Sequence, residues 1–256
     1  GIQLMEAAGH AVKDVVLAHF PQMQRAMILC GPGNNGGDGY IVARLLRELG
    51  VPVALFADRP PRSGSDAALA ASLWQGPVRP LEELKLQTGD VVVDALYGAG
   101  FKGVLQGAES RAAAKVATSG VPVIAVDLPS GVDGNTGQAS GPAFRAYHTV
   151  TFFRKKPGHL LYPGRDLCGL LNVAAIGIPA RLLDSMAINL AENTPGLFRH
   201  LLPETSETAH KYTRGSVGVF TGEATSTGAA RLAATAAQRA GAGAVTLIAP
   251  DDALDA

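Results

Sequence analysis

Residues 26–50 read AMILCGPGNNGGDGYIVARLLRELG, a short apolar run followed by glycines and then by a longer amphipathic segment. The run AMILC predicts a buried strand, because an uninterrupted apolar strand is covered on both faces. The glycines predict a tight turn. The segment GYIVARLLRELG has helical periodicity and ends at Gly50, a residue type that commonly terminates helices. A strand, a turn and a helix in this order indicate an α/β fold.

The same alternation extends in both directions from this stretch. Residues 4–20 have helical spacing, and further helices are predicted from GSDAALAASLW and AESRAAAKVATSG. Further strands are predicted from the apolar runs VPVALFAD, DVVVDALYG, VPVIAVDLPSG, HTVTFF and LLNVAAIG. This alternation predicts a three-layer α/β sandwich, with a Rossmann-like, mostly parallel sheet and helices on both faces.

The composition changes near residue 195, where a polar, irregular stretch predicts a linker. SVGVFTG, an alanine-rich helix and AVTLIAP then form one β-α-β unit. A unit of this size buries too little surface to be stable alone. We therefore predict one domain over residues 1–195, and a linker with the truncated start of a second α/β domain over residues 196–256.

Bulk composition limits the class of protein. The 22 basic and 22 acidic residues cancel, so no excess charge indicates a nucleic-acid partner. Cys30 and Cys168 are too few for a disulfide framework or a zinc site, and a buried free thiol is expected for Cys30. No apolar stretch is long enough to span a bilayer, and no signal peptide is visible. These features predict a cytoplasmic protein with a small-molecule partner and no membrane partner.

Polar residues follow three of the predicted strands. One strand leads to residues 34–38, one to Asp94 and a glycine loop from residue 98, and one to Asp127 and Ser130. Ligands of doubly wound sheets bind outside the carboxyl ends of the strands. Carboxylate, hydroxyl and amide oxygens suit a cation such as potassium, sodium or magnesium rather than zinc. Alternatively, Asp94 pairs with backbone donors or with Lys102, and Ser130 has a structural role.

The glycines also fit a different class of enzyme. Gly31, Gly33 and Gly36 spell G-x-G-x-x-G, and Asp58 lies where a dehydrogenase places its ribose-binding acid. The motif alone is a weak signal. Asp38 would repel a pyrophosphate bound in the standard place, unless it serves only as a helix cap. The dehydrogenase therefore stays an alternative.

The segment FFRKKPGHLLYPGR forms a local basic run. Arg154, Lys155 and Lys156 could contact a phosphate, but such a run is more often a solvated edge. His159 within it is expected to have a structural role rather than a catalytic one.

Three segments in one order carry a resemblance to a known family. GPGNNGGDG, DALYGAGFKG and VDLPSGVDGNTG resemble the YjeF N-terminal domain, the NAD(P)H-hydrate epimerase, over residues 1 to about 195. The segment from HKYTRGSVGVFTG to AVTLIAP resembles the start of the ribokinase-like, ADP-dependent NAD(P)H-hydrate dehydratase domain. Together they resemble the N-terminal part of bifunctional NAD(P)H-hydrate repair enzymes.

The resemblance implies an isomerase that interconverts the R and S forms of NADHX and NADPHX at C6 of the nicotinamide ring. A complete protein would also be a lyase, which uses ADP or ATP and magnesium in the second domain. The resemblance further implies a potassium ion in the first domain and a homo-oligomer. A non-catalytic binding or interaction scaffold of the same fold is the other alternative.

The resemblance also implies the residues of the site. Asn35, Asp94 and Ser130 match potassium ligands, and Asp127 matches a substrate-contacting acid that we expect to be catalytic. The implied substrate-binding residues are Asn34, Asn35, Gly36, Gly37, Asp38, Gly98, Ala99, Gly100, Phe101, Lys102, Gly103, Val104 and Asp127. GFKGVLQG departs from many bacterial members, in which a small or hydrophobic residue precedes Arg-Pro, so the role of Lys102 is left open.

Overall fold

The computed structural model describes residues 1–202, 204 and 206–254. The chain forms two units, Gly1–Ala187 and Ile188–Ala256. The predicted boundary at residue 195 lies a few residues after the start of the second unit. The predicted site residues all belong to the first unit.

The first unit is built on one seven-stranded sheet. Its strands are β1 Arg25–Cys30, β2 Val53–Phe56, β3 Val78–Arg79, β4 Asp90–Ala95, β5 Val123–Val126, β6 His148–Phe152 and β7 Leu170–Ala174. Their order is β3-β2-β1-β4-β5-β6-β7, and every neighbouring pair is parallel. The predicted Rossmann-like sheet is thus confirmed. Sequence periodicity missed the edge strand β3, because two residues are too short to show a pattern.

Helices cover both faces of this sheet. They are α1 Ile2–His19, α2 Asn34–Glu48, α3 Asp66–Ser72, α4 Gly107–Ser119 and the short α5 Gly164–Leu167. Ile28 of β1 packs into a core with α1, α2 and α3, whereas its neighbours Met27 and Leu29 pack into a second core with α4. Alternate residues of a strand point to opposite faces, so the three predicted layers are present. Both cysteines are buried and free, as expected for Cys30.

Helix α2 begins earlier than predicted. Its N-cap is Gly33, so residues 34–38 are helical and do not form a loop. The prediction that the helix starts at Gly39 was therefore wrong, and Asp38 does not cap it. The pattern was misleading because two asparagines and three glycines have low helix propensity, which the packing of α2 against the sheet overrides.

That packing depends on two glycines of the G-x-G-x-x-G pattern. A Cβ at Gly36 would lie 1.8 Å from the carbonyl oxygen of Gly31, and one at Gly31 would lie 1.8 Å from that of Leu96. A Cβ at Gly33 would meet no atom within 4 Å. The first and third glycines are thus required for close backbone packing, whatever ligand the site binds.

The second unit contains the predicted β-α-β elements. They are β8 Ser216–Phe220, α7 Gly228–Arg239 and β9 Ala244–Ile248, preceded by the short helix α6 Pro195–Phe198. Strands β8 and β9 pair in parallel. Over the described ranges of both units, no helix has the length and apolar character needed to cross a membrane.

Candidate active site at the carboxyl ends of the strands

Strands β1, β4, β5 and β6 are consecutive in the sheet, so the segments that follow them lie side by side. Asn35 follows β1 in the first turn of α2, Gly98 follows β4, and Asp127 follows β5 directly. Lys156 comes from the segment after β6. The structure thus brings together residues from four strand ends, three of which the sequence had indicated.

The side chain of Asp127 lies at the centre of this group. Its Oδ2 accepts a hydrogen bond from the backbone N–H of Ala99 at 2.8 Å. Its Oδ1 accepts from Thr151 Oγ1 at 2.8 Å and from Lys156 Nζ at 2.6 Å. Asp127 also has a φ of 65°, in the left-handed region that non-glycine residues seldom occupy and that often marks functional sites. The carboxylate therefore links the segments after β4, β5 and β6.

Two carboxyl groups of the site have opposite pKa shifts. Burial raises the pKa of Asp38 well above its usual range, and the charge of Asp127 raises it further. Burial acts in the same direction on Asp127, but the charge and hydrogen bonds of Lys156, Ala99 and Thr151 outweigh it and lower the pKa of Asp127. The ionised form of Asp127 is therefore stabilised, whereas that of Asp38 is disfavoured. Such divergence between neighbouring acids is typical of acid–base sites.

Gly98 lies close to two polar side chains. A Cβ at this position would lie 2.7 Å from Asp127 Oδ2 and 2.8 Å from Asn35 Oδ1. Among the residues that the structure describes, Asn35 Nδ2 is buried and has no hydrogen-bond partner. A buried amide donor without a partner is costly, so this group is suited to an acceptor atom of a bound ligand.

Asp94 and Ser130 form a second, fully buried pair. The carboxylate of Asp94 accepts from Ser130 Oγ at 2.6 Å, from the Ser130 backbone N–H at 2.7 Å and from the backbone N–H of Leu96 at 3.3 Å. Ser130 Oγ in turn accepts from the backbone N–H of Tyr97 at 2.9 Å. Asp94 therefore pairs with the backbone donors of Ser130 and Leu96, which is one of the alternatives that the sequence left open.

The surroundings of Asp94 suit a cation. Burial raises the pKa of Asp94 to about 6, although the hydrogen bonds from Ser130 and Leu96 lower it. The three groups that donate to this carboxylate are neutral, so a bound positive charge would stabilise its ionised form. The carboxylate, the Ser130 hydroxyl and the Asn35 amide are oxygen groups of the kind that a hard cation prefers.

The later residues of the predicted substrate loop contact groups other than Asp127. Lys102 Nζ binds the carboxylate of Asp133 at 2.7 Å, so Lys102 does not pair with Asp94. The ring of Phe101 packs against Tyr97 with centroids 4.9 Å apart, and Val104 is exposed beside Gly141. Contact with Asp127 is thus made by the first residues of the loop.

Asp58 has a role in the fold. Its Oδ1 accepts the backbone N–H of Leu81 at 2.7 Å, which ties the end of β2 to the segment after β3. The acid that a dehydrogenase would use to bind ribose is therefore engaged within the protein.

The contribution of β6 and of the segment after it to the site was not predicted from the sequence. Lys156 is not part of a solvated edge, because its side chain is 29% exposed and its ammonium binds Asp127. Thr151 is completely buried beside it. The predicted structural role of His159 is confirmed, since Nδ1 accepts the Lys156 N–H at 2.9 Å and Nε2 lies 2.6 Å from the Asp127 carbonyl oxygen. The sequence feature that could have indicated the role of Lys156 is the basic run directly after a predicted strand.

Comparison with known proteins identifies the family of the first unit. Residues 1–158 match the family described as YjeF-related protein N-terminus, which is more than half of the chain. The chain belongs to the YjeF-related N-terminal family. A relative from Rhodobacter capsulatus, named NAD(P)H-hydrate epimerase, is 42% identical over 175 residues, which cover 62% of this chain and 81% of the relative.

Longer relatives of the YjeF-related chain extend over both units. The bifunctional NAD(P)H-hydrate repair enzyme Nnr of Moorella thermoacetica is 39% identical over 264 residues, which cover 97% of this chain and 50% of the relative. The chain thus spans about half the length of the bifunctional relatives. The crystal structure of the yeast protein YNL200c matches with a TM-score of 0.60 and 24% identity, over 75% of this chain and 86% of the yeast chain, which supports the fold.

Proposed function

We propose that the first unit is an NAD(P)H-hydrate epimerase, an isomerase that interconverts the R and S forms of NADHX and NADPHX at C6 of the nicotinamide ring. The proposal rests on one observation above all. Asp127 is held as a carboxylate beside Gly98 and Asn35, at the sheet edge where ligands of such folds bind. The names of the epimerase relative and of the bifunctional relatives support the same substrate.

The chemistry requires a proton to move at the C6 hydroxyl. Inversion can proceed by loss of this hydroxyl, assisted by the lone pair of the ring nitrogen, and by return of water from the opposite face. It can also proceed by opening of the ring at the bond between N1 and C6 to an aldehyde. In the first route the departing hydroxyl takes up a proton, and Asp127, as the ionised acid, accepts one from the water that returns. In the second route Asp127 accepts the hydroxyl proton as the bond between N1 and C6 breaks, and N1 takes up a proton; ring closure on the other face reverses both transfers. Burial raises the pKa of Asp38, and we propose this residue as the group that supplies a proton.

We further propose that Asn35, Asp94 and Ser130 hold a potassium ion. When bound, the ion would offset the negative charge that Asp94, Asp127 and the phosphates of the substrate bring to the site. The start of α2 and the backbone N–H groups of the loop at Gly98 would contact the phosphates.

We also propose that the complete protein is bifunctional and homo-oligomeric. The match to the bifunctional relative covers 97% of this chain, and the match to the epimerase relative covers 62% of it. The second unit would accordingly belong to the ADP-dependent NAD(P)H-hydrate dehydratase domain. ADP or ATP and magnesium would bind only to a complete domain of that kind.

The test follows one purified epimer by chromatography as the other forms, with a blank that contains no protein. We expect turnover by the wild-type chain, and a loss of about a hundredfold or more in Asp127→Asn if the carboxylate moves the proton. Asp58→Asn is the matched control and should keep full activity. An inactive wild-type chain would refute the proposed function, and full activity in Asp127→Asn would remove Asp127 from the mechanism.

A further inference from the structure

The two carboxylate oxygens of Asp127 have different surroundings. Oδ1 accepts hydrogen bonds from two side chains, the ammonium of Lys156 and the hydroxyl of Thr151. Oδ2 accepts from the backbone N–H of Ala99, and a Cβ at Gly98 would lie 2.7 Å from it. Oδ1 is thus held by two side-chain donors, whereas Oδ2 has one backbone donor and can accept a further hydrogen bond from a ligand.

All three protons of the Lys156 ammonium are donated to acceptors within the protein. It donates to Asp127 Oδ1 at 2.6 Å, to Thr151 Oγ1 at 2.8 Å and to the carbonyl oxygen of Phe152 at 3.2 Å. An ammonium has three protons, so these three acceptors account for all of them. Lys156 therefore has no proton left for a substrate phosphate or for the reacting oxygen, and its effect must pass through Asp127.

Thr151 completes the arrangement around Oδ1. Its hydroxyl accepts from Lys156 and donates to Asp127 at 2.8 Å, and the residue is 0% exposed. The hydroxyl has one proton and can accept at the same time, so the direction of each bond follows from the ammonium having donors alone. Lys156, Thr151 and Oδ1 thus form a closed triangle of hydrogen bonds.

Two hydrogen bonds of His159 fix the backbone on which this triangle is built. His159 Nδ1 accepts the Lys156 backbone N–H, so Nε2 carries the proton and donates to the Asp127 carbonyl oxygen at 2.6 Å. This contact joins the turn after β5, where Asp127 has a left-handed φ, to the segment after β6. The imidazole of His159 therefore holds the two segments at a fixed separation.

We propose that Lys156 and Thr151 are positioning residues, which occupy Oδ1 of Asp127 and thereby present Oδ2 to the substrate. The inference rests on the proposed function and adds how the reacting carboxylate is oriented. A partial rotation of the carboxylate would turn Oδ2 away from the substrate, and the hydrogen bonds of the triangle oppose it. Preorganisation of this kind contributes to catalysis without any contact with the substrate.

The experiment measures kcat and KM for epimerisation in Lys156→Met, Lys156→Arg, Thr151→Val and Thr151→Ser. We expect kcat to fall about tenfold or more in Lys156→Met and Thr151→Val, with KM changed much less, because ground-state contacts with the substrate remain. Lys156→Arg and Thr151→Ser keep a donor and should recover part of the loss. Lys85→Met removes an exposed lysine of the same charge and should leave both constants unchanged.

Specific outcomes would overturn the inference. A wild-type kcat in both Lys156→Met and Thr151→Val, or an effect on KM alone, would show that the triangle does not position Asp127. If Lys156→Met fails to fold by circular dichroism, the nearly isosteric pair Thr151→Val and Thr151→Ser decides the question. A wild-type chain without turnover would instead refute the proposed function, so the two failures are distinguishable.

Discussion

Ser130 binds both carboxylate oxygens of Asp94, through its Oγ at 2.6 Å and its backbone N–H at 2.7 Å. Asp94 lies near the end of β4 and Ser130 in the turn after β5, so this pair joins two neighbouring strand ends below the active site. Both residues are 0% exposed. The pair therefore fixes the turn that also carries Asp127.

Removal of the Ser130 hydroxyl should destabilise the protein. Ser130→Ala leaves a buried carboxylate with one hydrogen bond fewer, and we expect the free energy of unfolding to fall by about 1–3 kcal/mol. Urea denaturation followed by circular dichroism measures this loss. Ser72→Ala, at an exposed helix position, is the control and should change the free energy by less than about 0.5 kcal/mol. Equal stability of the two variants would contradict the structural importance of the pair.

Potassium should raise the thermal stability of the wild-type chain. A ligand that binds only the folded state stabilises it, and each kcal/mol of binding should raise Tm by about 2–4 °C for a chain of this size. Melting in potassium chloride is compared with melting in choline chloride at the same ionic strength. The difference should disappear in Asp94→Asn, which removes the buried negative charge. Identical wild-type melting in both salts would argue against the proposed ion.

A side chain at position 98 should block the site. In Gly98→Ala the new Cβ would come within 3 Å of both Asp127 Oδ2 and Asn35 Oδ1. We expect a loss of kcat/KM of about a hundredfold, since a displacement near 1 Å can have this effect. Gly228→Ala adds a methyl group in open space in the second unit and should leave the activity unchanged. Activity of Gly98→Ala close to wild type would show that the site does not depend on the close approach of Gly98 to Asp127 and Asn35.

Acid should destabilise the protein partly through His159. Burial lowers the pKa of His159, and its hydrogen bond to Asp127 opposes this effect only in part. Above the ordinary histidine value of about 6.5 both folded and unfolded forms are neutral, and the full stability is present. As the pH falls below that value and through the lowered pKa, the unfolded chain binds the proton first, so stability is lost.

His159→Gln should therefore show a smaller fall in Tm than wild type between about pH 7.5 and pH 5.5. Part of the fall should remain in this variant, because burial also lowers the pKa of His148. His10→Gln, at an exposed position of α1, should keep the wild-type pH dependence. An equal fall in His159→Gln and wild type would show that His159 does not titrate in this way.

The strands and helices of the first unit could be predicted from local patterns. β5 is wholly apolar, and β1 and β4 contain the apolar runs AMILC and VVV. Gly120 ends α4 in the left-handed conformation that its sequence position indicates. The early start of α2 could not be predicted, because it depends on close packing of Gly36 against the backbone of Gly31 and of Gly31 against that of Leu96, which lies just after β4. Local propensity carries no information about such a long-range fit.

The sequence by itself determined the parallel α/β fold, the three polar strand ends and the family resemblance, since apolar periodicity and short motifs are local properties. The tertiary structure alone decided that Lys156 binds Asp127, across 29 positions of the chain, while Lys102 binds Asp133. A lysine in a basic run has the same local sequence whether it is solvated or buried in an ion pair. The strand order brings Lys156 to Asp127, because β6, which precedes Lys156, lies next to β5, which precedes Asp127.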